Sequence, residues 1–261
     1  MKLLTTSALR RGGAATAGLA AAGLALAACG TSGSSGNGAT GTSTGSPAAS
    51  TSTSSGSGGS TSTASSNSVP FPVGVGNTWV YKSVSELGTS TKVVNKMIAV
   101  KSVSGGQQVT MQTTLEGATT TYTYVFHPDG SITYPFNQLG SDVKLLGGSV
   151  EWPSASAIDS GQATHSTLKM QLTEGSQKSD VTAHVTVKGG GTATVTVPAG
   201  TYTATIVEMT DSFTVLGHAG TITVKTYLAN NVGPVQSEAA ISEGGVNEIV
   251  SDQKLVSFTK G

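Results

Sequence analysis

From about residue 68 onward, apolar and polar positions alternate. In Val181-Thr182-Ala183-His184-Val185-Thr186-Val187-Lys188, the apolar residues take one face and Thr, His and Lys the other. Gly189-Gly190-Gly191 follows, and Thr192-Ala193-Thr194-Val195-Thr196-Val197 alternates again, which predicts a hairpin turning at the glycines with one wet face. A second hairpin runs from Val109–Leu115 to Tyr122–Phe126, with Gly117-Ala118 suited to a two-residue type II′ turn. Pro128-Asp129-Gly130 predicts a turn into Ile132-Thr133-Tyr134. Further strands are expected at Trp79–Val84, Thr91–Val103, Leu168–Thr173, Tyr202–Val215, Thr221–Leu228 and Glu248–Phe258. A 3.6-residue period is missing, so only Leu139–Val150 and Ala155–Gln162 are left as places for a short helix. Roughly ten strands without crossover helices mean an antiparallel sheet, and a sheet that wide curls or splits. The expected fold class is all-β: a single antiparallel, strongly curved sheet, either a half-barrel or a closed barrel.

The N-terminus reads differently. Lys2, Arg10 and Arg11 precede an apolar run, Ala14–Leu26, of 13 residues. As a helix it would span about 20 Å, too short for a bilayer core of about 30 Å. Residues 1–28 are therefore expected to be a secretory signal and not part of the fold. At its end, Leu26-Ala27-Ala28-Cys29-Gly30 resembles the lipobox of bacterial lipoproteins. The resemblance implies cleavage before Cys29, the one cysteine of the chain, and a diacylglycerol thioether on its sulfur. Two acyl chains would hold the protein on the extracytoplasmic face of the cell membrane.

Residues 29–67 form the next segment. Of the 38 residues from Gly30 to Asn67, 31 are Ser, Thr or Gly, and none is charged or a large apolar residue. Such a composition buries too little to offset the entropy of ordering, so a disordered tether is expected. As a coil it would span about 34 Å end to end. Gly36-Asn37-Gly38-Ala39-Thr40-Gly41 matches a dinucleotide fingerprint, and Gly41-Thr42-Ser43-Thr44-Gly45 a nucleophile elbow. Both motifs need a preceding strand and a following helix, which this segment cannot supply. Residues 68–261 then make up the β domain.

Charge narrows the function classes. The whole chain is balanced at 14 basic and 14 acidic residues, but both arginines lie in the signal. The mature part keeps 11 lysines against 14 carboxylates, a net charge of −3. That excludes the basic footprint of a nucleic-acid binder. His127, His165, His184 and His218 show no zinc spacing, so no metal or cofactor is expected. No serine of the domain sits in a nucleophile's setting. Glu116, Asp129, Asp142, Glu151 and Asp159 fall within one half of the domain, but sparse charges of this kind chiefly keep a β surface soluble. No catalytic constellation is found, and a non-enzyme is expected.

Two stretches point to relatives. Phe71-Pro72-Val73-Gly74-Val75-Gly76-Asn77-Thr78-Trp79-Val80-Tyr81 resembles the opening of a group of exported bacterial β domains with no assigned reaction. Val197-Pro198-Ala199-Gly200-Thr201-Tyr202 and Asn231-Val232-Gly233-Pro234-Val235 are similar to that group's later landmarks. The resemblance implies an exported β domain with structural landmarks. Tyr122, Tyr124 and Phe126 alternate on one strand face, as do Trp79 and Tyr81. These five aromatics are either plain core or the lining of an apolar pocket in the concave sheet. Two functions follow: an envelope interaction or structural module acting on another envelope protein, or a carrier holding a lipid or other apolar ligand. In both, Cys29 joins the domain to the membrane.

Overall fold

The computed structural model describes residues 71–86, 88–134, 143–174, 176–215, 218–243 and 246–261. The signal, Cys29 and the tether lie outside the described residues. Among the described residues, thirteen strands carry the alternating pattern: β1 (Thr78–Ser85), β2 (Ser90–Val103), β3 (Gly106–Leu115), β4 (Ala118–Phe126), β5 (Ile132–Tyr134), β6 (Val143–Gly147), β7 (Val150–Trp152), β8 (Thr164–Glu174), β9 (Gln177–Val197), β10 (Gly200–Val215), β11 (His218–Ala229), β12 (Gly233–Glu243) and β13 (Val246–Thr259). They form a single antiparallel sheet in the order β6-β8-β9-β10-β11-β12-β13-β1-β2-β3-β4-β5-β7. First and last strands of the domain lie side by side, Thr78 opposite Thr259.

The expected all-β curved sheet is therefore present, and its ladder is not closed. The two edge strands, β6 and β7, are consecutive in sequence and joined by Gly148 and Ser149 alone. The sheet curls until its ends meet at this link. A Cβ on Gly148 would lie 2.2 Å from the Thr167 carbonyl oxygen, so no side chain fits there. β7 lies along the start of β8 without a backbone ladder. The Thr164 hydroxyl donates to the Glu151 carbonyl at 2.6 Å, and the Glu151 N–H donates to the Ser166 hydroxyl at 3.2 Å.

Three local expectations are corrected. Residues 181–197 are not a hairpin but part of one strand, β9, 21 residues long. Its triglycine is a bulge: the register against β10 shifts between Thr205 and Val207, and Gly191 takes φ +86°. Gly189 is glycine because the helix α1 (Ala155–Ser160) packs directly on its backbone, and Gly190 because the Ile206 side chain lies against it. A Cβ on Gly189 would stand 2.1 Å from the Ile158 carbonyl oxygen. Glycine therefore bends and thins the strand here instead of ending it. Second, Val143–Gly147 and Val150 are strand rather than helix, whereas 139–142 lie outside the described residues. The other short-helix expectation holds, since α1 starts at Ser154, whose hydroxyl accepts from the Ala157 N–H. Third, the β3–β4 turn is centred on Glu116-Gly117, with φ +50° and +85°, which makes it type I′ and not type II′.

One face of the sheet is inward and apolar. Trp79, Val93, Met97, Val109, Leu168, Val187, Val207, Ile222, Val235 and Leu255 are all nearly inaccessible. Bent by the glycine bulge, the tip of the β9–β10 hairpin reaches back across β11 and β12. There the Ala199 N–H donates to the Leu255 carbonyl at 3.0 Å. A bulge in β13 opposite Val80 and Tyr81 leaves that carbonyl available.

Candidate functional site

All five sequence-selected aromatics lie on or next to the inward face. Trp79, Tyr81, Tyr124 and Phe126 are buried, and Tyr122 is half-buried at its margin. They fall into two clusters. In the first, Phe71 packs on Trp79 and on Phe126, with ring centroids 5.3 Å apart in both pairs, and Phe258 stacks on Trp79 at 5.1 Å. In the second, Tyr124 meets Tyr134 edge-on at 5.0 Å, and Tyr134 meets Trp152 at 6.4 Å. Ring pairs at these separations are favourable beyond their buried area.

Their polar tips close the first cluster onto the landmark loops. The Trp79 indole N–H donates to the Val232 carbonyl at 2.6 Å, and the Tyr81 hydroxyl donates to the Pro234 carbonyl at 3.0 Å. Gly233, between those acceptors, has φ +88°, and a Cβ there would press within 3.4–3.6 Å of Phe71 and Trp79. Asn77, nearly inaccessible, ties the opening loop together: its amide donates to Pro72 O and its carbonyl oxygen accepts from the Gly261 N–H. The three landmark stretches, far apart in sequence, thus meet around Trp79, Tyr81 and Leu255. Burial pushes the phenols of Tyr81, Tyr124 and Tyr134 upward, so all three stay neutral donors.

Sequence reasoning missed the polar groups on this inward face. Ser83, Gln253, Ser237 and Thr226 stand in register across β1, β13, β12 and β11. Asn95 stands opposite Thr113 on β2 and β3. All six are buried. Asp211 on β10 is buried opposite the apolar Val185 and Ile222. Its Oδ1, with Asn95 Oδ1 and Thr113 Oγ1, has no hydrogen-bond partner among the described residues. Burial alone pushes the Asp211 carboxyl up to about 7. The available signal was parity, because Asp211 occupies the position in Val207, Met209, Asp211 and Phe213 that alternation assigns to the interior.

The remaining candidates have ordinary partners. His127 bonds the Gly105 carbonyl through Nδ1 at 2.8 Å and Thr133 Oγ1 through Nε2 at 2.9 Å. Thr133 donates on to Glu151 Oε2 at 2.8 Å, and Ser149 donates to Glu151 Oε1 at 2.9 Å. His165 and His184 each bond a threonine on the neighbouring strand. Bonds from the Ser131 hydroxyl and N–H hold the Asp129 carboxyl below its usual range. Glu116 accepts from Thr91, and Asp142 lies outside the described residues. No group of three metal-ligating side chains occurs among the described residues.

Comparison with known proteins agrees with this architecture. Residues 131–253 match the model of a family described as DUF3108-like. Two crystal structures share the fold. One is a Bacteroides fragilis NCTC 9343 protein classed as exported, with a YmcC-like fold: 19% identity over 73% of this chain and 98% of that one, TM-score 0.51. The other is a Parabacteroides distasonis ATCC 8503 protein classed as a lipoprotein: 16% identity over 74% of this chain and 99% of that one, TM-score 0.55. No curated protein matches the chain.

Proposed function

We propose that this chain is an exported lipoprotein, lipidated at Cys29, whose β domain serves as a non-catalytic interaction module of the cell envelope. The lipobox supports the anchor, and the similarity in fold to proteins classed as exported or as lipoproteins is in keeping with it. One observation carries the choice of module over carrier. Four of the five aromatics that would line an apolar pocket are buried and taken up in packing: Trp79 and Phe126 lie against Phe71, Tyr124 lies edge-on to Tyr134, and Trp79 and Tyr81 are hydrogen-bonded to the Val232 and Pro234 carbonyls. The outer surface is then the part left to act.

Carriage of an apolar ligand is the second reading, and one observation favours it. Asn95, Thr113 and Asp211 carry buried polar atoms with no hydrogen-bond partner among the described residues, which a ligand's polar end would satisfy. Native mass spectrometry on the Cys29→Ala protein from an exporting host separates the two readings. The bare polypeptide mass is expected. A stoichiometric mass removed by lipid extraction would overturn the module reading in favour of the carrier.

A further inference from the structure

We propose that the outer face of β13, β1 and β2 is a docking surface for an anionic lipid bilayer. Lys254, Lys82 and Lys92 stand in register on three adjacent strands, Lys82 facing Lys254 on one side and Lys92 on the other. Like charges directly opposite disfavour a sheet. Lysine on edge strands keeps other sheets away, but these three strands lie in the middle of the sheet, so that use does not apply. Lys254 pairs with Asp252 at 3.1 Å. Lys82 and Lys92 form no ion pair among the described residues. Lys96, exposed on the same face of β2, adds a fourth positive charge. Glu116 borders the face at the β3 end and keeps its charge while accepting from Thr91, and Glu238 stands opposite Asp252 at the β12 end, so the positive stripe is Lys82, Lys92 and Lys96 between two acidic margins.

Apolar side chains are interleaved with these lysines. Val80 faces Val94 between the lysine row and Lys96. Of five exposed large apolar residues among the described residues, Val75 (57%), Val256 (41%) and Ile98 (39%) border this face. Ile98 is the bulged residue of β2, and the Gly76 N–H donates to Met97 O, which brings Val75 alongside. Lysines around apolar tips suit the interface of an anionic membrane, where the charges meet headgroup phosphates and the tips enter the acyl boundary. A hydrated anionic polymer would use the lysines alone.

This docking rests on the lipoprotein reading for its strength. Each lysine is worth about fivefold in affinity for an anionic surface, so four give several-hundredfold at most. That is weak for a free protein. It suffices for one that a lipid-anchored tether, with an average end-to-end distance of about 34 Å, keeps near the bilayer.

The test uses the Cys29→Ala protein, which has no anchor, so the face is measured apart from the lipid. Cosedimentation with phosphatidylcholine vesicles, with and without phosphatidylglycerol, reads the affinity at low and at molar salt. Binding is expected only with phosphatidylglycerol and only at low salt. Lys82→Glu/Lys92→Glu is expected to lower it about 25-fold or more, and Val75→Ser/Ile98→Ser severalfold. Lys178→Glu/Lys188→Glu, on β9, should leave it unchanged. If the charge reversal impairs folding, Lys82→Gln/Lys92→Gln replaces it. No retention on phosphatidylglycerol, or undiminished retention of the lysine variants, would overturn the proposal. Polyphosphate binding as tight as vesicle binding, with the Val75/Ile98 variant unaffected, would also overturn it and point to an anionic polymer. Failure of the anchor alone would appear as loss of the wild-type protein from the membrane fraction while vesicle binding persists.

Discussion

Thr164 donates its hydroxyl to the backbone carbonyl of Glu151 at 2.6 Å, so a side chain stands where a ladder between β8 and β7 would otherwise run. Glu151 is the hub of this seam. Its N–H goes to Ser166, and its carboxylate accepts from Ser149 and from Thr133, which also bonds His127. The ends of the sheet are thus stitched by hydroxyls.

Thr164→Val keeps the shape and removes the stitch. With the Glu151 carbonyl left part-buried and unmatched, unfolding stability in urea is expected to fall by about 1–2 kcal/mol. Amide exchange in β5 and β7 should speed up more than in β10–β12. A wild-type urea midpoint would show that the seam carries no stability.

The glycine bulge in β9 gives a sharper contrast. Gly189→Ala places a Cβ 2.1 Å from the Ile158 carbonyl oxygen, so α1 must move, and a loss of about 2–3 kcal/mol is expected. Gly191 has open space around it and needs only its φ of +86°, so Gly191→Ala is expected to cost about 1 kcal/mol. Thermal melts of the two variants check the order. Were these glycines a hairpin turn, Gly191→Ala would be the more damaging change.

Most of the architecture was legible because a half-buried strand writes its period directly into the sequence. Val181–Val187 and Tyr122–Phe126 are examples, and strands formed at both. Glycine misled twice, since a triglycine reads as a turn whether it reverses a strand or thins it for a helix packed above. The Glu116-Gly117 turn needed a φ of +50° at glutamate, which composition does not announce. β12 was missed because its inward row, Val235, Ser237, Ala239 and Ile241, is too small and mixed to alternate clearly. The aromatic stripe was found, but its role depends on ring contacts from Phe71, Phe258 and Trp152, all distant in sequence. The lysine row was hidden for the same reason, because register across β13, β1 and β2 joins residues about 170 positions apart.

Asp211 should make stability fall as pH rises. Its folded carboxyl titrates at about 7 and its unfolded one near 3.8. Below 3.8 the group is neutral in both states and folding bears no cost. Between 3.8 and about 7 the unfolded chain ionises while the folded one stays protonated, so stability drops up to about 4 kcal/mol and then levels off. Asp211→Asn cannot ionise and should flatten that slope, raising the melting temperature relative to wild type at pH 8 but not at pH 4. Parallel curves for the two proteins would mean that Asp211 is ionised, and therefore solvated, in the folded state.

Cys29→Ala is expected to move the protein from the membrane fraction to the medium. Two acyl chains, at about 0.8 kcal/mol per buried CH₂, make anchoring effectively permanent. Docking through the lysine face is weaker and falls away with dilution once the anchor no longer confines the domain. Release should therefore be nearly complete at physiological salt, and a wash in molar salt should free what remains. Fractionation and immunoblotting of cells expressing each form checks this. If the variant stays in the membrane fraction even in molar salt, the lipid on Cys29 is not what holds the chain, and the lipoprotein reading fails.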